Sequence, residues 1–288
     1  MPELNAPPRV FDRELVSRRL RRRAPGHDDF VTRLVLADLE ERLATVTRDF
    51  EQAIILSPDA RPLPTMGRSA TGLFRFERAA TVLAEAGVPL VDPEALDLPR
   101  RGYDLIVSIF DLDVIDDVPG FLARARAHLR GDGLFLAAAI GGESLTELRE
   151  AFLLADEETG GGAYLRIAPF IPLSAAAGLL QRAGLALPVA DVETHVVRYQ
   201  SPLALMREIK ALGASNPLAE RPEMPATRRL MAAASEHYQR LAADPDGRVR
   251  ATLEIVWMSG WAPHESQQKP LRPGSAEVSL TKVLKSKS

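Results

Sequence analysis

A glycine-rich stretch, Gly141-Gly142-Glu143-Ser144, follows a predicted strand and has features that suit a ligand site. Glycine lets a ligand approach the backbone closely, and Glu143 would supply a polar group at that edge. The stretch also fits a helix start, because Ser144 and Glu147 have the S-x-x-E spacing of a capping box. The two roles are compatible, so we predict the capping box and keep Glu143 as a candidate site residue.

The scattered histidines and the absence of cysteine argue against metal sites and several nucleophilic sites. The 288 residues include five histidines and no cysteine, which excludes disulfides, thiolate metal sites and a cysteine nucleophile. His27 and Asp29 have the H-x-D spacing of an iron site, but no distal histidine gives it context, and Asp28 or Asp29 is a good helix cap. No Ser/His/Asp arrangement and no phosphate-binding loop is visible. We therefore expect no metal site.

Composition limits the partners and the location. A hydrophobic content of 46% suits a sizeable core, and a net charge of −3 gives no basic field for nucleic acid. No apolar run approaches the ~20 residues of a membrane helix, and no secretory segment is visible. We expect a cytoplasmic protein without a nucleic-acid partner or a membrane span.

The arginines of residues 18–23 form a basic segment near the N-terminus. A mitochondrial-type presequence is poor in acids, so Glu3, Asp12 and Glu14 weaken that interpretation. We predict a solvated basic helix face or a patch for an acidic partner.

Alternating strands and helices must position the candidate residues. Apolar runs predict strands at 53–56, 73–76, 88–91, 103–109, 134–139, 192–198 and 252–257. Periodicity and caps predict helices after Asp28 or Asp29, at 79–86, after Asp116 or Asp117, and at 145–155, 173–182, 203–212 and 226–243. This alternation indicates an α/β fold, with a parallel sheet and helices on both faces.

Literal sequence runs carry a family resemblance. YDLIV at 103–107 and GDGLFL at 131–136 resemble a class I methyltransferase of the Rossmann-like type. A more specific resemblance lies in GGESLTELR at 141–149, RIAPF at 166–170, VRYQSPLALMREIKALGASNPLAER at 197–221, ADPDGR at 243–248 and GWAPHESQQKPLRPGSA at 260–276. These runs are similar to the methyltransferase-like complex I assembly factors, a group that includes arginine hydroxylases, and to their alphaproteobacterial relatives. They are also similar to the malonyl-carrier-protein methyltransferase of biotin synthesis.

The resemblance implies a fold and a division of the chain. It implies an α/β, Rossmann-like class I methyltransferase sheet, with N-terminal helices and a helical insertion before the last strand. We expect an arm and basic segment at 1–28 and the methyltransferase-type domain at 29–259. The insertion would lie at about 202–243 and a polar tail at 260–288.

The resemblance also implies S-adenosylmethionine at the carboxyl ends of the first strands, where this chain departs from the family pattern. The usual D-x-G-x-G loop is replaced by a segment from Ser57 to Pro64 that contains three prolines, which lack N–H donors. The carboxylate expected at the end of strand 2 falls at Arg75, which has no acceptor, and Glu77 is the available substitute. The candidate cofactor-binding residues are therefore Ser57, Asp59, Glu77, Asp92, Glu94 and Ser108.

Two regions are candidates for contact with a protein substrate or partner. The long connection before the last strand would form a lid or substrate platform, or would only cover apolar surface. The tail would leave the last strand at the end opposite the cleft, as a docking surface or as a clamp anchored by Trp257 and Trp261. The candidate residues are Glu143, Arg207, Asn216, His264, Glu265 and Gln267.

Three functions follow from the resemblance and its departures. The first is a methyltransferase-like protein with a degenerate cofactor loop, which acts on or docks to a protein partner in respiratory complex I assembly. Its implied chemistry includes arginine hydroxylation. The second is a non-catalytic assembly module on the same fold. The third is an active methyltransferase with an atypical site that uses Glu77 and Asp92.

Overall fold

The computed structural model describes residues 9–23, 28–160, 162–222 and 224–267. His27, residues 1–8 of the expected arm and residues 268–288 of the expected tail lie outside the described residues. The strands are β1 (Ala53–Ser57), β2 (Met66–Arg68), β3 (Leu73–Ala80), β4 (Tyr103–Ile109), β5 (Leu129–Ile140), β6 (Ala186–Tyr199) and β7 (Val249–Trp261). The α-helices are α1 (Arg13–Arg21), α2 (Phe30–Ala44), α3 (Val118–His128), α4 (Thr146–Thr159), α5 (Leu173–Arg182), α6 (Pro202–Ala211) and α7 (Arg228–Ala242).

The seven strands form one sheet in the order β2-β3-β1-β4-β5-β7-β6. Strands β3, β1, β4 and β5 run parallel, whereas β7 is antiparallel to both β5 and β6. A parallel half followed by an antiparallel β7 is the sheet of a Rossmann-like class I methyltransferase, which confirms the predicted fold class. Helices α6 and α7 lie between β6 and β7, where the helical insertion was expected.

Two apolar layers cover the sheet. On one face, α2 packs Val35, Leu39 and Leu43, spaced one helical turn apart, against the sheet. On the other face, α3 and α5 pack against Ile54 and Ile106. Because β1 and β4 are buried on both faces, every residue in them is buried, which explains why their sequences are mostly apolar and do not alternate.

Aspartates start the helices that flank the sheet. The Asp29 carboxylate accepts a hydrogen bond from Thr32 N, and the Asp117 carboxylate accepts one from Gly120 N. These bonds satisfy backbone donors that the first turn of a helix leaves free, as the sequence predicted. Among the described residues, no helix combines the length and the apolar character that crossing a membrane requires.

The second half of β3 differs from the prediction. The strand does not end near residue 76 but continues to Ala80, with Ala79 and Ala80 paired to the end of β1. The predicted helix at 79–86 is therefore wrong, since pairing with β1 overrides the helix preference of the alanines. The predicted strand at 88–91 is also wrong, because this segment makes only isolated bridges, from Leu90 to Ala80 and from Val88 to Glu85.

Candidate functional site

A cavity of about 700 Å³ lies at the carboxyl ends of β1, β4 and β5. The ends of these strands supply its floor through Ser57, Phe110 and Ile140. Helix α1 and the connection at 212–217 contribute to its walls, together with α4 and α6. Most of the lining is apolar, and a cleft at this edge of a parallel sheet is where α/β proteins place their ligands.

The loop after β1 uses its donors within the protein. Pro58 has no N–H, Asp59 N donates to Ser57 Oγ at 3.4 Å, and Arg61 N donates to the Asp59 carboxylate at 3.1 Å. The Arg61 guanidinium also binds Asp59 at 2.6 Å, and Arg23 lies 3.7 Å away. Burial opposes ionisation of Asp59, but the bonds from Arg61 and the charge of Arg23 outweigh it, so the pKa of Asp59 lies below its ordinary value.

Glu77 lies three residues before the end of β3, so it does not stand at the strand end expected for a ribose-binding carboxylate. Its carboxylate accepts a hydrogen bond from the Tyr103 hydroxyl at 3.0 Å and pairs with Arg100 at 2.7 Å. Arg75 is exposed and pairs with Met66 of β2. The residue that follows β3 is Thr81.

Thr81 and Ser108 hold a buried carboxyl beneath the cavity floor, that of Asp111. The Thr81 hydroxyl donates to Asp111 at 2.5 Å, and the Ser108 hydroxyl donates to its other oxygen at 2.7 Å. Burial raises the pKa of Asp111 to about 7, although both hydroxyls favour its ionised form. Ser108, a candidate cofactor residue, thus makes its hydrogen bond within the protein.

Asp92 and Glu94 are also engaged by the chain. Arg13 of α1 binds the Asp92 carboxylate at 2.8 Å and donates to Thr81 O at 3.1 Å. Glu94 accepts from the backbone N–H of Asp116 at 2.8 Å and of Asp117 at 3.3 Å, and so orders the segment before α3.

Helix α1 covers the ends of β3 and β4. Its buried residues Val16 and Leu20 form a small apolar cluster with Val82, Leu83 and Val114. The connection before β7 holds the helix from the other side. Asp12 pairs with Arg221 at 3.0 Å.

Two arginines of the basic segment point towards the protein. Arg19 donates to Ser215 O and Asn216 O at 2.6 and 2.8 Å, and Arg23 donates to Leu212 O and binds Asp29. The expectation of a wholly solvated basic face is therefore wrong for these two residues, because backbone carbonyls of the connection draw them inward.

The predicted capping box at Ser144 and Glu147 is wrong. Helix α4 begins at Thr146 after Leu145, which has a φ of 55° and makes no side-chain cap. Ser144 Oγ instead accepts from Glu254 N at 2.8 Å, and Glu147 accepts from Thr252 N and its hydroxyl. Ser144 and Glu147 therefore fasten the segment after β5 to the first half of β7, by accepting hydrogen bonds from Glu254 and Thr252.

The partner candidates are spread over the surface. Glu143 and Arg207 are exposed, and Glu143 N donates to the Glu254 carboxylate. The Asn216 amide donates to Leu165 O at 2.7 Å and lines the cavity. All three lie in the described part of the chain, where no hydrogen bond or ion pair joins them to one another.

The described part of the tail lies at the opposite end of the sheet from the cavity. Trp261 of β7 pairs with Leu134 near the start of β5. Gln267 Nε2 donates to Asp132 at 3.1 Å, while His264 and Glu265 are exposed. This arrangement fastens the tail to Asp132, near the start of β5, and docking of a partner there stays a prediction.

Sequence reasoning missed Arg13, Thr81, Asp111 and Asp113. Asp113 follows β4 and lines the cavity, and both its oxygens lie 3.2 Å from Ile140 N, which donates to them. A signal was available, since two aspartates directly after the clearest predicted strand stand where ligands bind. Across the described ranges, no group of three or more His, Asp or Glu side chains is placed to hold a metal ion.

Comparison with known proteins gives a family. The rat arginine hydroxylase NDUFAF5, a mitochondrial protein, is 31% identical over 284 residues, covering 94% of this chain and 82% of the relative. The zebrafish arginine hydroxylase NDUFAF5 is 36% identical over 196 residues, which is 68% of this chain and 61% of that protein's length.

A methyltransferase and a solved structure also match. The malonyl-[acyl-carrier protein] O-methyltransferase of Laribacter hongkongensis is 34% identical over 183 residues, 64% of this chain and 59% of that enzyme. The solved structure of a candidate methyltransferase from Bacillus halodurans has a TM-score of 0.46 and 12% identity, covering 80% of this chain and 99% of that one. No family model matches the chain.

Proposed function

Since this chain belongs to the family of the arginine hydroxylase NDUFAF5, we propose that it serves respiratory complex I assembly by binding an arginine-bearing segment of a protein subunit. The cavity at the carboxyl ends of β1, β4 and β5 is the proposed binding site. Its volume of about 700 Å³ and its largely apolar walls suit a peptide segment with one long side chain. The family relationship supports the assembly role, and the cavity supports the place of contact.

One observation supports a second part of the proposal, that S-adenosylmethionine is bound weakly or not at all. The three places from which this fold would hold the cofactor are engaged within the chain. Asp59 binds Arg61, Thr81 binds Asp111, and Asp92 binds Arg13. Ligand binding would have to break these contacts, and the described residues at the end of β3 offer no free carboxylate to the ribose. These residues do not fit the cofactor as the methyltransferase family holds it.

Two measurements test the proposal. The full chain, tagged and expressed in its own host, should co-purify with a complex I subunit, and peptide mass spectrometry of that subunit should show whether an arginine has gained oxygen. Isothermal titration with S-adenosylmethionine and S-adenosylhomocysteine should show no binding in the micromolar range. Micromolar binding with a methylated subunit would refute the second part and favour the active methyltransferase.

A non-catalytic assembly module gives a different result. In that case the subunit co-purifies, but its arginines have the same mass in hosts with and without the chain. A host that lacks the chain and still assembles complex I normally would contradict the assembly role itself. Location is tested separately by fractionation, since the relatives are mitochondrial and a cytoplasmic location stays a prediction for this chain.

A further inference from the structure

Asp113 differs from the other aspartates of the cavity lining. Asp59 pairs with Arg61 and Arg23, and Asp29 pairs with Arg23. Asp113 has no ion-pair partner in the part of the chain that the structure describes, and its carboxylate accepts only from Ile140 N. A carboxylate offers about four acceptor positions, so most of the capacity of Asp113 is unused.

The surroundings of Asp113 disfavour an isolated negative charge. Phe110, Val114 and Ile140 line the same part of the cavity floor. Burial, followed by the nearby charge of Asp111, raises the pKa of Asp113 well above its ordinary value. Asp111 cannot play the same part, because it is fully buried and does not line the cavity. A bound cation would therefore stabilise the ionised form of Asp113 more than water does.

We propose that Asp113 is the residue that recognises the guanidinium group of the arginine side chain in this cavity. The inference rests on the proposed function and names the specificity-determining residue of that site. A guanidinium is planar and weakly hydrated, and its fork of N–H donors matches two carboxylate oxygens. The half-buried ring of Phe110 on the same floor suits the face of a guanidinium better than it suits an ammonium ion.

Asp113→Asn is the sharpest variant for a test. Its amide oxygen can still accept from Ile140 N, so the local structure is kept while the charge is removed. Glu150→Gln is the matched control, because Glu150 is an exposed carboxylate on α4 that does not line the cavity. Thermal unfolding of both variants reports whether the fold is preserved.

The probes are N-acetyl-arginine methylamide and the citrulline analogue, which has nearly the same shape but no charge. Binding to the full chain is followed by NMR of selectively labelled isoleucine methyl groups, with Ile140 as the reporter. The wild type should bind the arginine probe more tightly than the citrulline probe. Asp113→Asn should weaken arginine binding about tenfold or more, the usual loss for a hydrogen bond to a charged group. Asp113→Asn should leave citrulline binding unchanged, and Glu150→Gln should change the affinity for neither probe.

Equal affinity of the wild type for the two probes, or no binding of the arginine probe, would overturn the inference even if Asp113→Asn failed to fold. Unchanged arginine binding by a folded Asp113→Asn chain would overturn it as well. These outcomes are distinct from failure of the proposed function. A chain that discriminates arginine from citrulline but captures no complex I subunit would contradict only the assembly role.

Discussion

The substitution Leu20→Ala tests whether helix α1 packs over the cavity. The Leu20 side chain is 6% exposed and lies in the cluster with Val16, Val82, Leu83 and Val114. Replacing a buried leucine by alanine costs 2–5 kcal/mol, from lost burial and from the space left behind. Because Leu20 also lines the cavity, part of its surface has no packing partner, and we expect the lower half of that range, about 2.5 kcal/mol.

The assay is hydrogen exchange of residues 13–21 by mass spectrometry, combined with urea unfolding. A loss of about 2.5 kcal/mol corresponds to roughly sixtyfold faster exchange of the α1 amides, since each 1.4 kcal/mol is a factor of ten. Leu153→Ala is the matched control, a helical leucine on α4 that is 53% exposed. We expect the control to change stability by less than about 0.5 kcal/mol, as surface substitutions usually do.

Two results would refute this reasoning. One is exchange of the α1 amides in the wild type at the rate of an unstructured peptide. The other is a Leu20→Ala variant whose exchange and urea midpoint match those of Leu153→Ala. Either result would mean that α1 does not pack on the ends of β3 and β4 in solution.

Three further predictions concern buried charge. Asp59 has a lowered pKa in the folded chain, so the stability that it contributes is present above its unfolded pKa and is lost as the pH falls through the folded pKa. The free energy of unfolding of Asp59→Asn, measured in urea below about pH 4, should therefore depend less on pH than that of the wild type. Asp111 has a pKa raised to about 7, so its contribution to folding stability is full below its unfolded pKa and is lost as the pH rises to 7. As the pH is raised from about 4 to about 8, the free energy of unfolding of Asp111→Asn should therefore increase relative to that of the wild type. Arg166→Ala should lower the free energy of unfolding by about 3–5 kcal/mol, because it leaves the 1% exposed Asp156 without its ion-pair partner, whereas Arg207→Ala, an exposed change, should have little effect.

Local patterns predicted the parts of the fold whose contacts are close in sequence. The apolar run of β4 and the helix caps at Asp29 and Asp117 depend on burial and on neighbours three residues away. The end of β3 was not predictable in this way. Ala79 and Ala80 favour a helix locally, and only pairing with β1, more than twenty residues earlier, keeps them extended.

The site was harder to predict than the fold, because its contacts join distant segments. Arg13 and Asp92 are 79 residues apart, and no spacing rule connects them. The segment at Ser144 and Glu147 has the spacing of a capping box, but the same side chains bind Glu254 and Thr252 of β7, more than 100 residues further along the chain. The family resemblance implied the class of sheet and a cleft at the carboxyl ends of its first strands. The predicted residues Ser57, Asp59 and Asn216 line the cavity there, whereas Asp113 was recognised only in the structure.

The contacts that hold α1 have a consequence for the order of folding during synthesis. Arg19 donates to Asn216 O, 197 residues further along the chain, so the contact cannot form when α1 leaves the ribosome. At about 5–20 residues per second, α1 would wait roughly 10–40 seconds for the connection that receives it. The sheet strands β1 to β5 are synthesised within that interval. The cavity is therefore closed among the last steps of folding, after the strands of its floor have been made.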